Sequence, residues 1–188
     1  MRIPPVLAAT LVLGLSLAAC GGPKLAGSPE PDRLAARRQL AQAVKAGPVP
    51  LTTVGNPSPL DPDEVPTLAA RGVTGLSAAF TGALATTTVP HLVLWFEPPQ
   101  DAGPQAACGP RPLPTVPANP PKLLAIWCDD LYAVASVRGT AGDGSRGAAQ
   151  RLVWETTGRL LPDDYAETYG LNLFGWRVRL GADVGFGR

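Results

Sequence analysis

The sequence predicts an α+β fold: a single domain with a mainly antiparallel sheet and two or three helices on one face. Three observations carry this. β-Branched and bulky apolar residues cluster at 51–54, 86–97, 123–128, 131–138 and 171–180, the composition of strands. Segments with helical spacing of apolar residues, each with start or stop signals, lie between them. Turn formers are abundant, with 21 Gly and 22 Pro among 188 residues, short of a disordered composition, and an apolar fraction of 45% suffices for a core.

Taken in order, Asp32 caps a helix over residues 33–46 that Gly47-Pro48 stops. Ala36, Leu40, Ala43 and Val44 share one face; Arg33, Arg37 and Arg38 lie mostly elsewhere and read as a solvated face, with contact to lipid headgroups as the alternative. A short strand at 51–54 ends at Gly55-Asn56-Pro57. Asp61-Pro62-Asp63-Glu64 is a helix start: Asp61 caps, Pro62 suits the first turn and Glu64 reaches back to complete a capping box. That helix runs to Arg71 and stops at Gly72. Residues 73–85 show no clean period. Residues 86–97 are the clearest strand. Leu92-Val93-Leu94-Trp95-Phe96 does not alternate, so both faces are expected to be buried and the strand central.

Residues 98–121 form a long loop, extended where proline recurs from Pro110 to Pro121. Strands at 123–128 and 131–138 meet at Asp129-Asp130, which suits a two-residue hairpin or a bulge. A glycine-rich loop follows, then a helix over 148–161 that Pro162 stops. From Trp176 the chain alternates. Trp176, Val178 and Leu180 point one way and Arg177 and Arg179 the other, as in a half-exposed edge strand.

The first 21 residues carry a different kind of signal. Arg2, an apolar run over 6–17 and small residues before Cys20 have the layout of a secretory leader. A membrane-spanning helix needs about 20 predominantly apolar residues. This run is shorter, Pro4 and Pro5 interrupt its start, and Gly21-Gly22-Pro23 ends it. Leu17-Ala18-Ala19-Cys20 resembles the lipobox of bacterial lipoproteins. The resemblance implies that residues 1–19 are a signal peptide removed before Cys20, that Cys20 carries a diacylglycerol and an acylated amine, and that the protein is membrane-attached through those chains. Gly21 stands where retention at the inner membrane favours Asp, which implies the outer membrane and its periplasmic face. Two or more acyl chains give stable attachment. The organisation that follows is a signal peptide at 1–19, a lipidated flexible tether at 20–31 rich in Gly, Ser and Pro, an α+β domain at 32–180 and a Gly-rich, frayed tail at 181–188.

Processing has two consequences. Of 16 basic and 15 acidic residues, only Arg2 lies in the leader, so the mature chain is formally neutral. It has no general electrostatic pull on nucleic acid or anionic lipid, and nucleic acid is not expected as a partner. With Cys20 lipidated, Cys108 and Cys128 remain. In an oxidising envelope they are expected to pair, a gain on the order of 3 kcal/mol; two buried free thiols are the alternative. Pairing needs Cα atoms within about 7 Å, so the Pro-rich segment must double back near Ala118-Asn119.

Candidate chemistry is sparse. Gly142-Asp143-Gly144-Ser145-Arg146-Gly147 matches a dinucleotide-binding pattern between a strand and a helix. The acids at the expected distance, Asp163 and Asp164, follow Pro162 rather than ending a strand, so a flexible loop before a helix start is the reading adopted. His91 is the one histidine and lies in the most apolar strand, which makes it structural. One His and two paired Cys do not make a zinc site. Asp129-Asp130 and Asp163-Asp164 read as turn and cap residues, although one Asp from each pair meeting in space is left open. Trp95, Trp127, Trp154 and Trp176 default to core packing. The most interaction-like surface is Trp176 with Arg177 and Arg179. No catalytic residue, cofactor or metal is therefore expected. The expected function is a non-catalytic binding or accessory subunit of an envelope assembly, with an envelope protein as partner. The alternative is an envelope hydrolase with an Asp/Glu pair, seen as a cleft holding Asp129, Asp130 or Glu97.

Overall fold

Every residue of the strand His91–Phe96 is buried, as its unbroken apolar run requires. The computed structural model describes residues 22–82, 89–163, 170–173 and 176–179. Within them the elements are β1 (Lys24–Gly27), α1 (Glu30–Ala46), β2 (Val49–Val54), a 3₁₀ turn (Pro62–Glu64) leading into α2 (Val65–Gly72), β3 (Phe80–Gly82), β4 (His91–Phe96), a 3₁₀ segment (Pro104–Cys108), β5 (Lys122–Asp129), β6 (Tyr132–Thr140), α3 (Arg146–Leu160), β7 (Gly170–Leu173) and β8 (Trp176–Arg179). Six strands form one sheet in the order β1-β6-β5-β4-β2-β3. β1–β6, β6–β5 and β5–β4 are antiparallel; β2 runs parallel to both β4 and β3. The fold is the expected α+β domain, with a parallel flank that strand composition does not reveal.

Alternation along the strands sorts the core into two faces. Leu92, Leu94 and Phe96 of β4 join Leu123, Ala125 and Trp127 of β5 against the helices. There they meet Ala36 and Leu40 of α1, Val65 and Leu68 of α2, and Leu152, Val153 and Leu160 of α3. All three helices thus cover one face. α2 and α3 approach closely where both carry glycine: a Cβ on Gly158 would stand 2.7 Å from the Gly72 carbonyl, and one on Gly72 would collide with the Trp154 carbonyl.

The opposite face carries Val93 and Trp95 of β4 and Leu124, Ile126 and Cys128 of β5. Its cover is the long loop between β4 and β5. Ala107, Cys108 and Leu113 pack on it. Arg138 of β6 donates to the carbonyls of Pro99 and Ala102, and Trp95 Nε1 donates to the Pro114 carbonyl at 3.1 Å. The expectation that β4 is buried on both sides is met by a layer with little regular structure, held by named polar contacts.

Several boundaries differ from the sequence expectation. The spacer expected at 20–31 contains β1, whose residues pair with Val137–Thr140 of β6. Leu25 packs against the helix-side core, and Ser28 binds the backbone of Ser136 in both directions, which gives a Gly/Ser/Pro segment a defined place. Asp32 is not the cap of α1. The helix starts at Glu30 after Pro29, with no side-chain cap and with Pro31 in the first turn, where its missing N–H costs nothing. Glu30 and Asp32 instead place negative charge in that first turn, where the helix dipole favours it. The Asp61–Glu64 capping box is present, but on a 3₁₀ turn preceding α2. Ser145 caps α3, its side chain accepting from Ala148 N, so the helix begins at Arg146, two residues ahead of the expected start. Asp130 and Leu131 make the two-residue turn between β5 and β6, with Asp130 at φ 55, and a bulge lies between Trp127 and Cys128.

Residues 171–180 do not form an edge strand of this sheet. Leu173 pairs with Trp176 and Gly170 with Arg179, so β7 and β8 form a separate two-stranded antiparallel sheet. Alternation marks a strand but not its partner. The beginning of the expected strand at 86–88, the leader at 1–19, Cys20, Asp164 and the tail at 181–188 lie outside the described residues.

Candidate functional site

The Cys108–Cys128 disulfide is formed, with S–S 2.00 Å and Cα–Cα 5.6 Å. β5 presents Cys128 on the loop-covered face, and the 3₁₀ segment ending at Cys108 brings its partner over it. Beside this bridge sits His91, whose register partner on β5 is Cys128. His91 is 1% exposed, and its Nδ1 lies 2.9 Å from the Val89 carbonyl, which makes Nδ1 the protonated nitrogen. Nε2 is buried without a partner. The ring is part of the core beside the bridge.

Among the described residues, Asp129 and Glu97 stand at opposite ends of the β4–β5 ladder. Asp129 accepts from Gln39 Nε2 at 2.8 Å, and the same Gln39 accepts from Trp127 Nε1 at 2.7 Å, so the carboxylate ends a bridge between α1 and β5. Asp130 occupies an exposed turn position with positive φ. Glu97 stands just past the other end of the β4–β5 ladder. Its backbone is left-handed at φ 54, its N–H donates to the Lys122 carbonyl, its carbonyl accepts from Val116 N, and its Oε1 accepts from Ala118 N at 3.2 Å. Glu97 thus holds the returning Pro-rich loop, a role that no sequence pattern announced. Phe96 pairs with Leu123 and His91 with Cys128, so Glu97 and Asp129 are about 24 Å apart along the ladder at about 3.4 Å per residue. Paired-carboxylate hydrolysis of glycosides needs roughly 5 to 9.5 Å. Asp163 packs against Gly75, where a Cβ would lie 2.7 Å from its carboxylate.

Described residues line two surface clefts among others. One, about 500 Å³, lies beside β2 and is lined by Thr52, Thr53, Pro62, Asp63 and Gly82 among others. The second, about 300 Å³, is apolar and lies between the end of α1 and Val89-Pro90. Asp129, Asp130 and Glu97 line neither. Among the described residues, no group of three or more His, Cys, Asp or Glu side chains is placed to hold a metal ion.

The expected glycine-rich loop is present and exposed at 142–145, while Arg146 and Gly147 already belong to the first turn of α3. Asp143 accepts from Ser145 N at 2.7 Å. The Ser145 hydroxyl and then its backbone N–H hold the Asp143 carboxyl below its ordinary value of 3.8. An acid and a capped helix start occupy the place where a phosphate-binding loop would present free N–H groups. Arg146 is turned away to Glu64 Oε2 at 2.8 Å and to the Pro59 carbonyl.

The arginine row of α1 is not a solvated face. Arg33 is buried and donates to the carbonyls of Ser28 and Arg159, and Arg37 is buried and donates to the Thr74 carbonyl; Arg38 is exposed. Trp95 and Trp127 are core residues and Trp154 is half-buried. The backbone of Trp176, Arg177 and Arg179 lies in β8 of the separate two-stranded sheet. Among the described residues no helix is long and apolar enough to cross a membrane. Compared with known protein families, curated proteins and solved structures, the chain matches none.

Proposed function

We propose that the chain is an outer-membrane-anchored lipoprotein whose periplasm-facing domain acts as a non-catalytic binding or accessory subunit of an envelope assembly. The observation that carries this reading is Leu17-Ala18-Ala19-Cys20 at the end of a short apolar leader. A domain stapled by Cys108–Cys128 suits an oxidising compartment. The carboxylates that a hydrolase would use are instead spent on structure: Asp129 on Gln39, Glu97 on the loop backbone.

Trp176, Arg177 and Arg179 are the proposed partner-binding residues, because aromatic and arginine anchors dominate interface energy. The test is cross-linking in intact membranes followed by purification of the native protein. A partner recovered with the wild-type chain and lost on changing all three residues to Ala supports the reading. Full capture by the triple variant shows that the surface is wrong. Turnover of peptidoglycan, ester or phosphate substrates by residues 23–188, abolished by Asp129→Ala or Asp130→Ala, would install the hydrolase in its place.

A further inference from the structure

The folded domain begins four residues after Cys20, because Lys24 opens β1. A chain extends at most about 3.6 Å per residue, so Cys20 and Lys24 are no more than about 14 Å apart. A tether reaching to Asp32 would have allowed about 40 Å. The difference rests on how firmly β1 is held. It pairs with β6 over four residues, Leu25 fills the core beside Gly139, and Ser28 is bonded to Ser136 and to Arg33.

The strand directions define which end of the domain this short leash reaches. Lys24 pairs with Thr140 at the close of β6, and Thr140 pairs in turn with Lys122 at the start of β5. In-register residues share a sheet face, so Lys24 and Lys122 flank Thr140 on the loop-covered face. Both lysines are exposed. The Gly142–Ser145 loop follows Thr140 and leads into α3, and Gly144 lies against Asn119. The opposite end is the β5–β6 turn, where Leu131 is 41% and Tyr132 70% exposed. The nine residues of β6 separate the two ends by about 27 Å at about 3.4 Å per residue.

We propose that this end, with Lys24, Lys122 and the 142–145 loop, rests on the phospholipid headgroups of the membrane that holds Cys20. The sheet then stands upright with Leu131 and Tyr132 pointing away from the bilayer. This rests on the lipoprotein reading above. The lysines meet headgroup phosphate, while Asp143 at the same end keeps the surface from being strongly cationic, so the length of the leash rather than net charge keeps the contact.

The experiment uses the full-length protein, purified from membranes and reconstituted in phosphatidylethanolamine–phosphatidylglycerol vesicles carrying radiolabelled lipid. A photo-cross-linking amino acid is placed at Lys122 or at Tyr132. Label is expected on the protein from position 122 and not from position 132. Inserting about twelve Gly/Ser residues between Gly22 and Pro23 adds about 20 Å of reach and should abolish the labelling from position 122. Equal labelling from both positions, or labelling from 122 that survives the insertion, overturns the orientation while leaving the anchor intact. Palmitate analysis of the same preparation separates the two ideas: absence of lipid on Cys20 refutes the anchor itself and this arrangement with it.

Discussion

The indole Nε1 of Trp127 donates to Oε1 of Gln39 across 2.7 Å, fixing α1 to the middle of the sheet. Trp127 is fully buried, and the amide nitrogen of the same Gln39 goes on to Asp129. One glutamine therefore satisfies the only polar atom of a core tryptophan and neutralises the directional demand of a carboxylate at the strand end.

Gln39→Ala should destabilise the domain by about 1–3 kcal/mol, because the Trp127 N–H is left buried without an acceptor. Adding Trp127→Phe in that background removes the orphaned donor and should cost less than the two single changes combined. Urea denaturation of the four proteins of this cycle measures the coupling.

The disulfide gives a counting experiment. In mature protein unfolded without reductant, no cysteine should react with an alkylating agent; after reduction, Cys108 and Cys128 should react and the lipidated Cys20 should not. Reaction before reduction would show free thiols. Replacing both Cys108 and Cys128 with Ala should cost on the order of 3 kcal/mol, the value of closing a loop of this length. Proteolysis should then begin in the 98–121 loop, which loses its covalent hold on β5.

The α2–α3 contact discriminates between two glycines. Gly72→Ala would place a methyl group into the Trp154 carbonyl and should destabilise by roughly 1–3 kcal/mol or more. Gly147→Ala, in the first turn of α3 with open space around it, should stabilise by roughly 0.5–1 kcal/mol. Thermal melts of the two variants should move in opposite directions.

Much of this architecture was legible in residue order. Asp61-Pro62-Asp63-Glu64 announced its capping box, and Leu92–Phe96 announced a strand buried on both faces, because these signals are local. What was not legible is set by distant partners. Lys24–Gly27 looks like a spacer until β6 offers a free edge, and Arg33 looks solvated until the ends of α3 and β1 supply carbonyls. Glu97 has no motif, since its role comes from the loop that folds back over it. The same holds for β8, where alternation was visible but the choice of β7 as partner was not.

Asp143 supplies a pH prediction. The Ser145 hydroxyl, then the Ser145 N–H, lower its carboxyl from 3.8. A carboxyl depressed in the folded state stabilises above its unfolded value and loses that contribution as pH falls through the folded one. An NMR titration should place the Asp143 midpoint below 3.8, and Ser145→Ala should move it upward. The group is fully exposed, so the stability curve itself should barely change.

Cys20 is the residue on which the proposed membrane attachment depends. The direct measurement is metabolic labelling of the full-length protein with radioactive palmitate, in wild-type form and as Cys20→Ala. Labelled, membrane-bound wild type and an unlabelled variant that keeps its leader or leaves the membrane is the predicted result. An unlabelled wild type, or a Cys20→Ala chain labelled to the same extent, would contradict it.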